Sequence, residues 1–351
     1  MAVDLTGGLP VDYEYFLSKR PTDPDMRDSA TLWVMPDNSE LAFPRITIDA
    51  IGADWEHPWL QLNLVHADGR AFRVWSGEHS HSSIDKNGKA SILGAGPLQF
   101  QCLEPFRRWQ LTFDGEAEET TTVAQMAGES GGKQISLAFH FNTEMAVPPW
   151  LMGGMTADKV HEMKAQQMLS ADADAIMGGL RYEQLCRLTG YVKIGGEEHQ
   201  ISGTGMRVRR QGVRNMAAAV GHCQHSALFP SGKAFGAIAM APSSDGIQSF
   251  NEAFIFTRQG KKYPARVIEA PWMTRLVTHG DNATVVLDSA LGTIRIEGET
   301  LLSTFDRNYF EMAVGLLQAF IFTILATVYI GTAVQHAEHL SPKLHRFYCS
   351  K

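Results

Sequence analysis

Cysteine is scarce in this sequence, and what there is has no pattern. Cys102, Cys186, Cys223 and Cys349 are scattered, without a CxxC pair or the paired spacing of a secreted disulfide framework, and read as reduced thiols in a cytoplasmic protein. A basic excess is also missing. With a formal net charge of −7, the chain lacks the net positive face that general nucleic-acid binding needs. The opening MAVDLTGGLPVDYEYF has neither the basic start nor the apolar core of a signal peptide. No phosphate-cradling glycine loop, dinucleotide fingerprint, HExxH or Gly-x-Ser-x-Gly elbow is present, and the GAG at Gly94 to Gly96 lacks the strand–helix setting such a loop requires. A site that works without a cofactor is the expectation.

What is present is an ordinary globular composition, 44% hydrophobic and 20% charged over 351 residues, enough for one large or two ordinary domains. The pattern is that of strands. WLQLNLVHADGRAFRVWSG alternates apolar and polar residues around ADG, and GYVKIGGEEHQISG repeats the device around two glycines. CQHSALFPSGKAFGAIAMA and AFIFTRQGKKYPARVIEA do so again. Serial hairpins with few helical stretches predict an all-β chain whose antiparallel sheets close into barrels or sandwiches. The best helix candidate, Thr156 to Leu169, lies near the middle and predicts a short helical linker between β domains of roughly 1–165 and 175–351.

One segment admits two readings. Met312 to Val334 carries no charge and is long enough to span a bilayer, yet its β-branched and aromatic content, Gln318 and the lack of Lys or Arg beside either end equally fit two buried strands. Barrel strands are the expectation, and a membrane association is not.

Three stretches together resemble one superfamily: LEPFRRWQLTFDGEAEE from Leu103, RYEQLCRLTGYVKIGGEEHQISGTGMR from Arg181, and ALFPSGKAFGAIAM from Ala227. They are similar, in the expected order, to the carotenoid 1,2-hydratase and AttH-like proteins. The resemblance implies two lipocalin-like antiparallel β-barrels in tandem and a lyase, hydratase, isomerase or cyclase acting on a hydrophobic small molecule such as a terpenoid, steroid, carotenoid or polyketide. A non-catalytic carrier of the same ligands is the alternative, and a homodimer is compatible with either.

The family carries a Gly-x-Arg-Asp-His-Ser-Trp-Gly-x-Arg segment. Gly205, Arg207, Gly212 and Arg214 match it, but Val208 replaces the Asp, Arg209 the His, and Arg210 and Gln211 the Ser and Trp. Valine donates no proton, so the acid must come from elsewhere or the reaction must differ.

Candidates for that role are Tyr182 and Glu183, which strand alternation sends to opposite faces. An inward Glu183 would need a partner, for which Arg207 is the expectation; a structural Glu–Arg pair explains the same residues. Arg214 is expected to brace a loop or touch the ligand. Arg209 and Arg210 are expected as solvated charges at a pocket rim, with an anchor for an acidic substrate as the other reading. His222 and His225 have opposite parity and cannot chelate one metal from a regular strand, though either could serve as an acid or base. His79 and His81 are expected as exposed loop residues, and no metal site is expected. His140, Trp109, Trp150 and Trp272, with Phe139, Phe141, Phe254 and Phe256, are candidates to line an apolar ligand pocket or simply to be core.

Overall fold

The computed structural model describes residues 3–38, 40–127, 129, 131–152, 179–213, 223–240, 250–270 and 279–304, with short pieces at 323–324 and 327–329. Strands dominate. The first sheet holds β1 (Met26–Pro36), β2 (Leu41–Ile51), β3 (Trp59–His66), β4 (Arg70–Gly77), β5 (Ile92–Ala95), β6 (Leu98–Glu104), β7 (Arg108–Thr121), β8 (Lys133–Met145), β9 (Trp150–Leu151), β10 (Leu180–Ile194) and β11 (Glu197–Val213). A short helix, α1 (Thr122–Ala127), joins β7 to β8.

The sheet runs β4-β3-β2-β1-β11-β10-β8-β7, and β4 pairs back onto β7 through Arg70↔Thr121 to Arg73↔Glu118. Eight strands therefore close a barrel, and β6 and β5 extend from β7. Most of the interior is apolar. Leu32, Phe43, Ile46, Leu62, Phe72, Phe100, Phe113, Phe139 and Phe141 fill it, all with almost no exposure. The all-β, barrel-forming architecture expected from the hairpin pattern is the one observed.

The second sheet is a meander of β12 (Cys223–Leu228), β13 (Ala234–Ala239), β14 (Asn251–Phe256), β15 (Lys262–Glu269), β16 (Val285–Ser289) and β17 (Gly292–Ile296). One of its faces packs on the outside of the barrel: Leu228, Ala234, Ile238, Phe254 and Phe256 meet Trp33, Trp150, Leu185 and Met206. Its other face carries Cys223, Phe235, Ala237, Ala239, Ala253, Val285 and Leu287. The strands over 180–213, expected to open a second domain, are instead hydrogen-bonded members of the first sheet, where β11 pairs β1 from Met26↔Val213 to Pro36↔Gly203. The change of sheet falls after Val213.

All four hairpins read from the sequence form, including β10–β11 around Gly195 and Gly196, whose positive φ values of 58° and 96° suit glycine. Close approach fixes another glycine. A Cβ on Gly190 would lie 1.9 Å from the His140 carbonyl oxygen of the neighbouring strand. Gly190→Ala should therefore destabilise the barrel by about 1–3 kcal/mol, read from the urea midpoint.

The expected linker helix lies outside the described residues, as does most of Met312–Val334. Of that segment, β19 (Thr323–Ile324) and β20 (Thr327–Tyr329) are described; they form a small sheet with β18 (Leu302–Thr304). Among the described residues, no helix is long and apolar enough to cross a membrane.

Candidate functional site

Alternation on β10 and β11 sorts the candidate residues into two environments. Counting outward from the two-glycine turn, Ile194 faces Glu197, so Gln184 faces Arg207, Tyr182 faces Arg209 and Glu183 faces Val208. Directly opposed residues share a face. Tyr182, Gln184, Arg207 and Arg209 thus point into the barrel, whereas Arg181, Glu183 and Arg210 point out toward the second sheet.

Inside the barrel Arg207 meets a partner that the sequence reading did not identify. Its Nη2 lies 2.7 Å from Oε1 of Glu14, at the end of a 3₁₀ turn over Val11–Glu14, and 2.7 Å from Oε1 of Gln184. The expected Arg207–Glu183 pair does not form, because the two side chains leave the sheet on opposite faces. Glu14 Oε1 also accepts from the Tyr182 hydroxyl at 2.5 Å, while Oε2 accepts from the Phe106 backbone N–H and from Trp109 Nε1, each at 2.8 Å. The guanidinium of Arg207 lies 4.5 Å from the Trp109 ring centroid and 5.5 Å from that of Tyr182.

Burial alone would raise the pKa of Glu14, but the charge of Arg207 and the bonds from Tyr182 and Phe106 outweigh it and hold the carboxyl below its usual range. Burial, with the neighbouring Glu14 charge, pushes the Tyr182 phenol well up. The same burial pushes the thiols of Cys102 and Cys186 up to about 12, which keeps both as unreactive thiols.

Arg209 is not a solvated rim charge. It is 1% exposed, bonds Asp28 Oδ1 at 2.6 Å and the Tyr15 carbonyl at 2.8 Å, and lies 4.2 Å from the Phe16 ring centroid. Asp28 in turn accepts from the Leu17 N–H at 2.6 Å. Gln184 Nε2 donates to the carbonyls of Leu5, Phe106 and Val147. Leu5, Leu9, Tyr13 and Phe16 are buried in the barrel core. Arg207 and Arg209 therefore hold the segment 5–17 against the barrel, with Leu5, Leu9, Tyr13, Glu14 and Phe16 buried and Val11 and Asp12 exposed.

The second environment is the junction of the sheets, which brings Glu183, Arg210 and Trp150 to one face. Glu183 is 1% exposed. It bonds Arg181 Nη2, and Gln224 Nε2 reaches across from β12 to both its oxygens, each at 2.7 Å. Trp150 faces Glu183 on β9, and its ring lies 4.6 Å from Phe254. Arg210, only 6% exposed, is likewise not a rim charge. The result is a carboxylate held by an amide and a guanidinium, walled by aromatic rings.

The remaining candidates lie elsewhere. His225, next to Gln224 on β12, faces the other side of that strand, 5.6 Å from the Phe235 ring, and burial pushes its pKa down to about 3. It does not share a face with Glu183. His140 is on the outer surface of the barrel beside Gln110 and Tyr191, not in a pocket. Trp109 is a barrel-core donor to Glu14. His79 and His81 are exposed, and no group of three or more metal-ligating side chains forms among the described residues. Arg214, His222 and Trp272 lie outside the described residues.

No curated protein matches the sequence. Among solved structures, the chain is similar to a Nitrosomonas europaea protein described as AttH, at 13% identity over 84% of this chain and 85% of that one, with a TM-score of 0.50. It is also similar to kievitone hydratase from Nectria haematococca, at 10% identity over 91% and 90% of the two chains, with a TM-score of 0.45. The first likeness shows the fold implied by the sequence resemblance. Residues 17–302 match the model of a family described as a domain of unknown function, DUF7064, and with most of its length inside that match the chain belongs to this family.

Proposed function

We propose that the protein is a cofactor-independent enzyme that carries out a lyase, hydratase, isomerase or cyclisation step on a hydrophobic small molecule at the junction of the two sheets. The observation that carries this reading is Glu183: a carboxylate almost without exposure, opposite Trp150, whose ring packs on Phe254, with its oxygens oriented by Arg181 and Gln224. A carboxylate so placed can take a proton from a bound apolar molecule and return it at another carbon. It supplies the acid that the family segment lacks at Val208. The reaction class follows the family resemblance.

The test is incubation with a panel of terpenoids, steroids, carotenoids and polyketides, read by mass spectrometry. Turnover is expected, with kcat reduced by about 10²–10⁴ in Glu183→Gln. A panel member that binds and returns unchanged in both proteins would make the protein a carrier and overturn the catalytic reading.

A further inference from the structure

The interior of the barrel is built as a receptor for a carboxylate, and the group now in it is the chain's own Glu14. We propose that this receptor is a second ligand site, independent of the junction, which takes an apolar carboxylic acid in place of residues 5–17.

Three features carry the proposal. The donors converge: Arg207, the Tyr182 hydroxyl, the Trp109 indole N–H and the Phe106 N–H close on the two oxygens of one carboxylate, a guanidinium and three neutral donors at 2.5–2.8 Å. All three side chains are at most 1% exposed, so the receptor is dry and charge-selective. It also has capacity to spare, because Nε and Nη1 of Arg207 have no hydrogen-bond partner among the described residues.

The occupant is separable from the wall. Residues 3–25 belong to no strand, so their withdrawal breaks no rung of the barrel. The side chains that would leave with Glu14 are Leu5, Leu9, Tyr13 and Phe16, an apolar group joined through the backbone to a carboxylate. An alkyl acid has the same two parts. Its carboxylate would replace that of Glu14 on Arg207, and its chain would lie against Phe106, Phe100 and Leu111. A neutral lipid or alcohol would leave Arg207 buried without a counter-charge and is excluded on that ground.

The experiment titrates the full chain with decanoate below its micellar concentration and, in parallel, with 1-decanol, following tryptophan fluorescence and amide hydrogen exchange. Decanoate should bind, perturb Trp109 emission and accelerate exchange across 5–17, and 1-decanol should do neither. Glu14→Gln, which removes the competing charge, should bind decanoate about tenfold or more tighter, because the open receptor becomes the more populated state. If that variant does not fold, the exchange comparison on the unaltered chain decides. Equal binding of acid and alcohol, decanoate binding with exchange across 5–17 unchanged, or no decanoate binding at all would each overturn the proposal. Turnover at Glu183 does not enter any of these readouts, so the two readings fail separately.

Discussion

Arg207→Ala should lower the unfolding free energy by about 3–5 kcal/mol, the cost of leaving a buried charge without its partner. The carboxylate of Glu14, with no exposure, would keep three neutral donors and lose its counter-charge. The variant would also lose the packing of a guanidinium against Trp109 and Tyr182. Because Arg207 and Glu14 act as one unit, the double variant Glu14→Gln/Arg207→Ala should cost less than the two single changes together, by about 0.5–3 kcal/mol. Urea unfolding of the four proteins measures this. A loss below about 1 kcal/mol for Arg207→Ala, or strict additivity, would show that the pair does not hold residues 5–17 in place.

Acid should destabilise the protein well above the pH at which carboxylates titrate. The imidazole of His225 has a folded pKa of about 3 against an ordinary 6.5, because burial disfavours its charged form. Between those two values the unfolded chain binds a proton that the folded chain refuses, so stability is full above pH 6.5 and falls as pH is lowered toward 3. At about 1.4 kcal/mol per pH unit, the loss is on the order of several kcal/mol. Glu14 adds a second, lower stage. Its folded pKa is depressed, so its contribution holds above the unfolded carboxylate value and disappears as pH drops through the folded one. His225→Leu should flatten the slope between pH 6 and 4, a window set by the imidazole shift, while leaving the lower stage in place. An unchanged slope would mean that His225 takes up its proton in the folded state.

Much of the fold was legible. Hairpins around ADG, GGEE, PSG and RQGKK all form, because glycine at a tight turn and period-two apolar patterning are local signals that tertiary packing had no cause to override. The opposite orientations of Tyr182 and Glu183, and the shared face of Arg207 and Arg209, were equally local. The missed step was register. The two-glycine turn matches Arg207 with Gln184, which places Glu183 on the other face, so the signal lies in the turn and not in the strand pattern.

Glu14 was different. It reaches Arg207 from a loop segment remote in sequence that belongs to no strand, and no pattern in VDYEYF marks its carboxylate as buried. Arginine is usually solvated, so the sequence alone gives no sign that Arg209 is buried. Its burial depends on Asp28 standing on β1, which pairs β11 only once the barrel closes. Gln224, across a sheet-to-sheet contact, offered no local signal either.

The closure of the barrel has a consequence for how the chain is made. Strand β1 has β2 on one side and β11 on the other, and Met26 finds its partner only when Val213 exists. During synthesis, the strands up to β8 must wait as an open sheet with both edges bare until the β10–β11 hairpin leaves the ribosome and fills the gap between β8 and β1. Seams of such sequence separation close slowly, since loop entropy is lost before the contacts that reward it are made. Over that interval the nascent chain offers an eleven-residue unpaired edge, Met26–Pro36, to any neighbouring strand. Refolding from denaturant should carry the same signature, in a yield that falls steeply with protein concentration.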